Sequence, residues 1–311
     1  MVLAACFRAE AVIVYGTNGT GTNNTSAPAD DPGWANVGTV GGSTTVYLGS
    51  QTTGYWMLTA NHVDLSGGTV SLNGGTYNIV GASIKQIVTA DPVPVPIDLK
   101  VFRLQTNPGL SGVTISSSAP SPGSSVVMIG NGRDRGAITT WDGNPTGWGS
   151  SGSAASGYVW GSNQIVRWGS NVVQDTNLGV YSGATTFSTI FNDTSNPNEA
   201  QASLGDSGGG VFVKNGGLWE LTGIMLTVGV WDGISGGYYG QFTGQPSNTS
   251  LITANTGYSG AGSATFSAQL SDYRTLILDA IPEPSISALS VFALFAILVV
   301  RRTVRQTTQN R

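Results

Sequence analysis

The sequence predicts an all-β protein, and both its composition and its pattern of apolar residues support this fold class. The 311 residues include 45 glycines, and 40% are apolar while only 10% are charged. Short segments that alternate apolar and polar residues between glycine-rich turns are typical of half-buried strands. Sustained helical periodicity first appears at Leu270–Leu278. Many short strands of this kind favour barrels or a sandwich.

The predicted strands fall into two groups along the chain. They are Thr44–Leu48, Tyr55–Thr59, Val70–Leu72, Thr76–Val80, Ser83–Val88, Leu99–Leu104, Val126–Ile129, Tyr158–Trp160, Ile165–Trp168, Gly210–Val213 and Leu218–Leu226. A stretch rich in proline and serine at residues 116–124 separates the groups and is the best internal boundary. We therefore expect two β units of unequal size.

Composition excludes several kinds of partner and site. The formal net charge is −4, and no basic patch with interleaved aromatic residues indicates a nucleic-acid partner. Cys6 is the only cysteine and lies close to the N-terminus, so the folded part has no disulfide, thiol nucleophile or cysteine-based metal site. A single histidine likewise excludes a histidine-rich metal site. We predict neither a metal nor any other cofactor.

The most specific motif is the stretch LGDSGGGVF at residues 204–212. Catalysis by serine needs a hydroxyl group on a tight turn, with backbone N–H groups aimed at the developing oxyanion. Glycine beside Ser207 lets the backbone approach a substrate carbonyl. The structural alternative is a simple Gly-Ser turn between strands, which a chain so rich in glycine could contain.

The only histidine and one aspartate extend this motif to a candidate catalytic set. His62 follows the apolar run YWMLTA at residues 55–60, and Asp98 opens a candidate strand in IDLKVFRL. The chain order is His62, Asp98, Ser207. This combination resembles the chymotrypsin-like (trypsin-type) serine proteases, whose motifs are Thr-Ala-Ala-His, Asp-Ile/Leu-x-Leu/Val and Gly-Asp-Ser-Gly-Gly.

The resemblance covers residues 13–278 and implies two antiparallel six-stranded β-barrels with the active site between them. The first barrel, residues 12–118, would carry the histidine and the aspartate. The second barrel, residues 119–280, would carry the serine and end in a short helix. The stretch rich in proline and serine falls where this family connects its barrels.

The resemblance also implies a role for each candidate residue. Ser207 would attack the substrate carbonyl, and His62 would take the proton and later return it to the leaving amine. Asp98 would hold the imidazole in the useful tautomer. The backbone N–H groups of Gly205 and Ser207 would form the oxyanion hole.

Two other aspartates compete with Asp98 for the position behind the histidine. Asp64 is only two residues from His62, too near to reach behind the ring easily. Asp91 lies in the loop TADPVPVPID, where an aspartate that caps a turn is the alternative interpretation. We therefore predict Asp98 as the partner.

Asp206, which precedes the serine, has a separate predicted role. In the family this aspartate pairs with an N-terminal amine released by activation cleavage, and IVYG at residues 13–16 resembles the family's Ile-Val-Gly-Gly start. Cleavage after Ala11 would leave Val12 first, one residue ahead of that register. We hypothesise that export processing frees an N-terminus near residues 12–13 that pairs with Asp206. The alternative is that Asp206 only caps its turn.

Three residues are predicted to shape the substrate pocket. Gln201 stands six positions before the serine, at the floor of the family's primary pocket, so no acid is available there for a substrate lysine or arginine. Leu226 and Val228 lie in the segment that resembles the family's substrate-pairing strand, usually Ser-Trp-Gly. Because Val228 replaces a glycine and narrows the pocket, we expect small or uncharged substrate side chains.

The N-terminal end indicates export. Residues 1–11 are largely apolar and contain a small-x-small pattern at residues 9–11, so we interpret them as a signal peptide whose start is truncated or misassigned. LAAC at residues 3–6 also resembles a lipoprotein signal. The sequence leaves both interpretations open.

The C-terminal end carries a second targeting signal. Residues 281–311 contain Pro-Glu-Pro, then an apolar run at the short edge of a membrane span, then Arg301 and Arg302. An ordinary membrane anchor is one interpretation. The order of the three features closely resembles the PEP-CTERM sorting signal of Gram-negative bacteria. That resemblance implies a transient membrane anchor, an exosortase-type protease that removes the tail, and a final location in the cell envelope, at the cell surface or outside the cell.

Taken together, the motifs predict an exported serine endopeptidase that hydrolyses polypeptides through an acyl-enzyme intermediate. Two other classes remain as alternatives. One is a protease-like protein that has lost activity and binds partners at the surface, against which the intact motifs argue. The other is a structural or adhesive β protein of the cell envelope, which would have the same composition but no need of the three motifs.

Overall fold

A computed structural model describes residues 12–16, 23–51, 53–89, 93–141, 155–181, 183–192, 195–231, 238–239, 249–254 and 262–281. The predicted signal peptide lies outside the described residues, and so do Asp91 and the sorting segment after Ile281.

The described residues form β-strands and one α-helix. The strands are β1 Ile13–Val14, β2 Val37–Val40, β3 Ser43–Gln51, β4 Gly54–Thr59, β5 Thr69–Leu72, β6 Gly75–Val88, β7 Pro96–Leu104, β8 Ser125–Gly130, β9 Arg133–Trp141, β10 Ala155–Gln164, β11 Arg167–Tyr181, β12 Ala184–Phe191, β13 Ala200–Gln201, β14 Gly210–Asn215, β15 Leu218–Trp231, β16 Tyr238–Tyr239, β17 Thr249–Ala254 and β18 Gly262–Gln269. The helix is α1, Leu270–Ala280, and a 3-10 turn spans Trp34–Asn36.

The first barrel consists of six antiparallel strands in the closed order β2-β3-β4-β7-β6-β5. Strand β5 alternates exposed and buried residues, as a strand with one face toward a core must. Large apolar side chains on both faces of these strands are packed into one apolar cluster, and Leu58, Val101 and Phe102 are all fully buried in it. Burying a side chain of this size contributes about 1.5–3 kcal/mol.

The second barrel has the strand order β14-β8-β11-β12-β18-β15, and an antiparallel pairing of β14 with β15 closes it. Strand β16 extends the same sheet beyond β15. Its core includes Met128, Phe187, Val211 and Met225. The prediction of two six-stranded antiparallel barrels is therefore confirmed.

Two smaller sheets lie outside the barrels. One has the order β17-β10-β9. The other pairs β1 with β13, with Ile13 opposite Gln201 and Val14 opposite Ala200. Residues 12–16, predicted as part of the first barrel unit, thus lie against the second. The reason is that Val12 and Val14 are fully buried and join the core of that second barrel.

The predicted C-terminal helix is confirmed as α1. Its side chains Leu270, Tyr273 and Ile277 are buried, and they belong to the same apolar cluster as the interior of the first barrel. Within the described part of the chain, no helix is both long and apolar enough to cross a membrane. Residues 105–124 connect the barrels, and the predicted boundary lies within this connection.

Three predicted strand segments do not correspond to single strands of the structure. The segments Thr76–Val80 and Ser83–Val88 belong to one long strand, β6, because register irregularities let this strand bend without ending. The segment Ile165–Trp168 straddles the turn between β10 and β11.

Candidate active site

His62 lies just beyond the end of β4, as the sequence predicts. The strand ends at Thr59, and a tight turn follows, in which the N–H group of Val63 donates to the carbonyl of Ala60 at 3.2 Å. Ala60 and Val63 are both buried and anchor this turn in the first barrel, whereas 37% of the His62 side chain is exposed. The turn therefore directs the imidazole away from the core.

Asp98 holds His62 through two hydrogen bonds. The backbone N–H group of His62 donates to Asp98 Oδ1 at 2.9 Å, and His62 Nδ1 lies 2.7 Å from Asp98 Oδ2. Asp98 is only 5% exposed and belongs to β7, which pairs directly with β4. Asp64 is turned away, because its carboxylate accepts hydrogen bonds from the backbone and hydroxyl of Ser66.

Lys100, a residue that the sequence analysis did not select, secures the same turn. Its Nζ donates to the carbonyls of Asn61 at 2.9 Å and Val63 at 2.5 Å, the two residues that flank His62. Burial lowers the pKa of the Lys100 ammonium, an effect that the charges of nearby aspartates partly offset. Lys100 follows Asp98 by two positions in β7. Side chains at this spacing share one face of a strand, which is the signal that could have identified it.

Ser207 lies in a glycine-rich loop, residues 202–209, that connects β13 to β14. The loop needs glycine at position 208, where φ is 85°. A Cβ atom at Gly208 would lie 2.1 Å from both the carbonyl oxygen of Thr44 and Oγ1 of Thr59. Only glycine, which has no side chain, therefore lets the backbone of the loop pack this closely against the first barrel.

Thr44, at the start of β3, joins this serine loop to the first barrel. Its N–H group donates to the carbonyl of Ser207 at 3.0 Å, and its hydroxyl donates to the carbonyl of Gly205 at 2.8 Å. The N–H group of Asn131 in turn donates to the Thr44 hydroxyl at 2.9 Å. No described group accepts a hydrogen bond from the N–H groups of Gly205 and Ser207. These two predicted oxyanion donors therefore keep their capacity for a ligand.

His62 and Ser207 both line a cleft of about 270 Å³. Its wall contains two of the predicted pocket residues, Leu226 and Val228, with Trp160 from β10 on the same cleft. The remaining lining residues are Ala202, Ser203, Leu204, Met225 and Thr227. Among the described residues that line the cleft, none is charged at neutral pH, apart from His62 when it is protonated.

Gln201 does not line this cleft. It is only 2% exposed and lies in β13, where it pairs with Ile13. The next residue, Ala202, begins the cleft wall. Its assignment to the substrate pocket stays a prediction.

Asp206 is completely buried beneath the serine loop. Its carboxylate accepts hydrogen bonds from the N–H groups of Gly132 and Ser203, both at 2.7 Å, and from the Ser203 hydroxyl at 3.1 Å. The N–H group of Val12 also donates to it. Burial outweighs these donors and raises the pKa of Asp206 to about 6. A buried carboxylate with this environment is stabilised by an added positive charge.

The backbone nitrogen that contacts the Asp206 carboxylate belongs to Val12, the residue that cleavage after Ala11 would leave first. The pairing of a freed amine with Asp206 stays a prediction. The N-terminal segment is held further along by the side chain of Arg135, which donates to the carbonyl of Tyr15. The guanidinium of Arg135 also stacks over the ring of Tyr158, 4.2 Å from its centre.

In the described residues, no group of three or more histidine, cysteine, aspartate or glutamate side chains could hold a metal ion.

Comparison with known proteins finds structures but no sequence family. No protein-family model and no curated protein matches the sequence. The Rv3671c protein of M. tuberculosis H37Rv, a serine-to-alanine mutant in an inactive form, is similar with a TM-score of 0.41 and 11% identity, over 82% of this chain and 91% of that chain. A second structure, of the Rv3671c protease in an inactive form, has a TM-score of 0.41 and 10% identity, over 80% and 90% of the two chains.

The HtrA-type protease AlgW with a decapeptide has a TM-score of 0.40 and 17% identity, over 77% of this chain but only 51% of that chain.

Proposed function

We propose that this chain is a serine endopeptidase in which Ser207 is the nucleophile, His62 the general base and Asp98 the group that orients the base. The observation that carries the proposal is the position of the imidazole. His62 Nδ1 lies 2.7 Å from Asp98 Oδ2, and His62 also lines the cleft that contains Ser207. A histidine with an unperturbed pKa of about 6.5 suits proton transfer near neutral pH.

The hydrogen bond to Asp98 assigns the imidazole nitrogens. Neutral histidine carries one ring proton. Because the Asp98 carboxylate accepts at Nδ1, the proton resides there and Nε2 becomes the acceptor for the serine hydroxyl. The backbone N–H group of His62 donates a second hydrogen bond to the Asp98 carboxylate, so Asp98 fixes the same residue at two points.

The reaction then proceeds by acyl transfer. Ser207 Oγ bonds to the carbonyl carbon of the peptide, and its proton passes to His62. The N–H groups of Gly205 and Ser207 stabilise the resulting oxyanion, and one such donor is worth about 10²–10³ in rate. The bond between carbon and nitrogen breaks as His62 returns the proton to the leaving amine. Water hydrolyses the acyl-enzyme with His62 again as base.

The same proposal includes activation by a new N-terminus. Val12 N–H already bonds to Asp206, and residues 12–14 are fully buried. If cleavage after Ala11 turned this N–H group into an ammonium, the buried carboxylate would gain a charged partner in place of a neutral one. Charge-assisted hydrogen bonds are roughly twice as strong as neutral ones.

The cleft supports a preference for uncharged substrate side chains. Leu226 and Val228 contribute apolar surface, and the described lining residues include no acid that would pair with a substrate lysine or arginine.

We also propose, from the sequence of the two ends, that the chain is exported and that an exosortase-type protease removes its tail. Recovery of the mature protein outside the cytoplasm without residues 282–311 would test that part.

The enzyme itself is tested by labelling with a fluorophosphonate, which phosphonylates an activated serine. A chain that begins at Val12 should react, and digestion should locate the adduct on Ser207 rather than on Ser203 in the same cleft. A folded Ser207→Ala variant should not react. Failure of the folded wild-type protein to react would support the inactive binding protein or the structural protein instead.

A further inference from the structure

Gln164, the last residue of β10, connects the serine loop to the first barrel. Its Nε2 donates to the carbonyl of Leu204 at 3.3 Å and to the carbonyl of Gly42 at 3.1 Å. Leu204 immediately precedes Gly205, and Gly42 lies in the turn between β2 and β3. One side-chain amide therefore uses its two donors on the two sides of the cleft.

The planarity of the peptide bond gives this contact a consequence for the oxyanion hole. The carbonyl of Leu204 and the N–H group of Gly205 belong to one trans peptide unit, so they point in opposite directions. A donor that fixes the carbonyl on one side also fixes the N–H group on the other. In the described part of the chain, Gln164 is the hydrogen-bond donor to the Leu204 carbonyl.

The fit between Gln164 and Gly205 is close. Gly205 has a φ of 101°, in the region that favours glycine. A Cβ atom there would lie 2.1 Å from Gln164 Nε2, so the amide packs directly against the Cα atom. The absence of a side chain at Gly205 thus serves the approach of Gln164 as well as the backbone conformation.

We propose that Gln164 is a positioning residue, which holds the Leu204–Gly205 peptide so that the Gly205 N–H group faces the oxyanion. This inference rests on the proposed function of the cleft. The next peptide group, Gly205–Asp206, has other restraints, since the Thr44 hydroxyl donates to its carbonyl and its N–H group donates to the carbonyl of Ser203 at 3.1 Å. The Leu204–Gly205 peptide is therefore the unit that depends on Gln164.

Strand β9 supports β10 at this point. Gln164 pairs with Arg133 across the sheet. The N–H group of Arg133 donates to the Ser203 hydroxyl at 2.7 Å, and that hydroxyl lies 3.0 Å from the Arg133 carbonyl. Residues 203 and 204 thus contact the ends of both strands. The sheet outside the barrels presents the amide at a defined position rather than from a mobile loop.

Two variants separate hydrogen-bond donation from packing. Gln164→Ala removes the amide, and Gln164→Glu keeps its shape but, when ionised, has no proton to donate. We expect both to lower the second-order rate constant of fluorophosphonate labelling by about 10- to 100-fold, approaching the value of one oxyanion donor. The fraction of protein that finally labels should stay complete, because the serine loop remains folded.

Gln269→Ala provides the matched control. The amide of Gln269 also donates two hydrogen bonds, to Asn177 at 2.9 Å and Asp272 at 3.0 Å, but it lies beside α1 and does not line the cleft. This variant should lower thermal stability without changing the labelling rate constant.

Each outcome decides between the two proposals. If the wild-type protein labels and the Gln164 variants label equally fast, or no more slowly than Gln269→Ala, the role of Gln164 is overturned while the enzyme stands. If the Gln164 variants lose labelled fraction rather than rate, Gln164 is only a structural residue. If the folded wild-type protein does not label, the proposed function fails and the inference fails with it.

Discussion

The two sides of the cleft are built in different ways. On the first-barrel side, His62, Asp98 and Lys100 all come from neighbouring strands β4 and β7 or the turn that follows β4. The hydrogen bonds that join Asp98 and Lys100 to the imidazole turn are all made within that barrel. The candidate base is therefore in place once the first barrel has folded.

On the second-barrel side, the serine loop depends on contacts from distant parts of the chain. Thr44 reaches it from the first barrel, Val12 from the N-terminal segment and Gln164 from the sheet outside the barrels. A loop assembled from such separate contacts can be completed or disturbed by a change at any one of them. We therefore expect control of the proposed site to act through the candidate nucleophile and its candidate oxyanion donors rather than through the candidate base.

The largest loss of turnover should come from replacing the carboxylate that orients His62. Asp98→Asn places an amide at His62 Nδ1, and because that amide can donate a hydrogen bond, it favours the wrong imidazole tautomer. In this type of triad the loss of turnover is about 10⁴-fold. The measurement is the rate constant of fluorophosphonate labelling, or of hydrolysis once a substrate is known.

Asp64→Asn is the matched control for that prediction. Asp64 is exposed and bonds to Ser66, so its substitution should leave the rate within about twofold. If Asp64→Asn were as damaging as Asp98→Asn, the account of the base side would be wrong.

A smaller effect is expected from changing the N-terminal contact of the nucleophile side. We compare a chain that begins at Val12 with one that retains residues 1–11. The Val12 ammonium should strengthen the contact with Asp206 by about 1–2 kcal/mol relative to the neutral N–H group. If that energy orders the serine loop, labelling should become about tenfold faster.

The same pair of proteins should differ in the pH dependence of stability. In the longer chain, the pKa of Asp206 is raised to about 6 from an ordinary value of 3.8. Between these values the folded state binds more protons than the unfolded state, so stability falls as pH rises from about 4 to about 6.

In the chain that begins at Val12, the ammonium offsets this fall. The offset is lost only as pH rises above about 8, the ordinary pKa of an α-amine, because pairing with Asp206 raises the pKa of the amine in the folded state. Melting temperatures across this range measure both curves. Asp206→Asn in the longer chain should flatten its curve. Equal curves for the two chains would show that the new amine does not reach Asp206.

The sequence predicts the residues of the site better than the contacts that hold them. His62, Asp98 and Ser207 stand in short motifs at strand ends, where local sequence and chemistry agree. No local sequence pattern identifies Thr44 or Gln164, because each contacts the serine loop through a hydrogen bond to a residue at least 40 positions away. Only the folded backbone reveals such contacts.

A physical reason also explains why strands β12 and β18 are not predicted from the sequence. Strand β18 is buried along its whole length, and β12 is buried at all but one position. A strand buried on both faces has no alternation of apolar and polar residues. Small polar residues such as Ser263 and Thr265 are buried in β18, which hides it further. Strand β5, with one exposed face, alternates and was predicted.

The smallest effect should come from Lys100, at the edge of the base side. Lys100→Met keeps an apolar stem of similar length but leaves the carbonyls of Asn61 and Val63 without their donor. An unpaired buried acceptor costs about 1–3 kcal/mol, and part of that cost should appear as a looser His62 turn. We expect turnover to fall about three- to tenfold with little change in KM, because the substrate cleft itself is unaltered.

Lys85→Met is the matched control for this loss. Lys85 also donates to a carbonyl, that of Ala280 at 3.0 Å, but it is exposed on the outside of the first barrel. Its substitution should leave turnover unchanged. If Lys100→Met also left turnover unchanged, Asp98 alone would suffice to hold the imidazole. If Lys100→Met lowered turnover as much as Asp98→Asn, the position of the base would depend on single supporting contacts as strongly as the position of the serine loop does. The contrast between the two sides of the cleft would then be wrong.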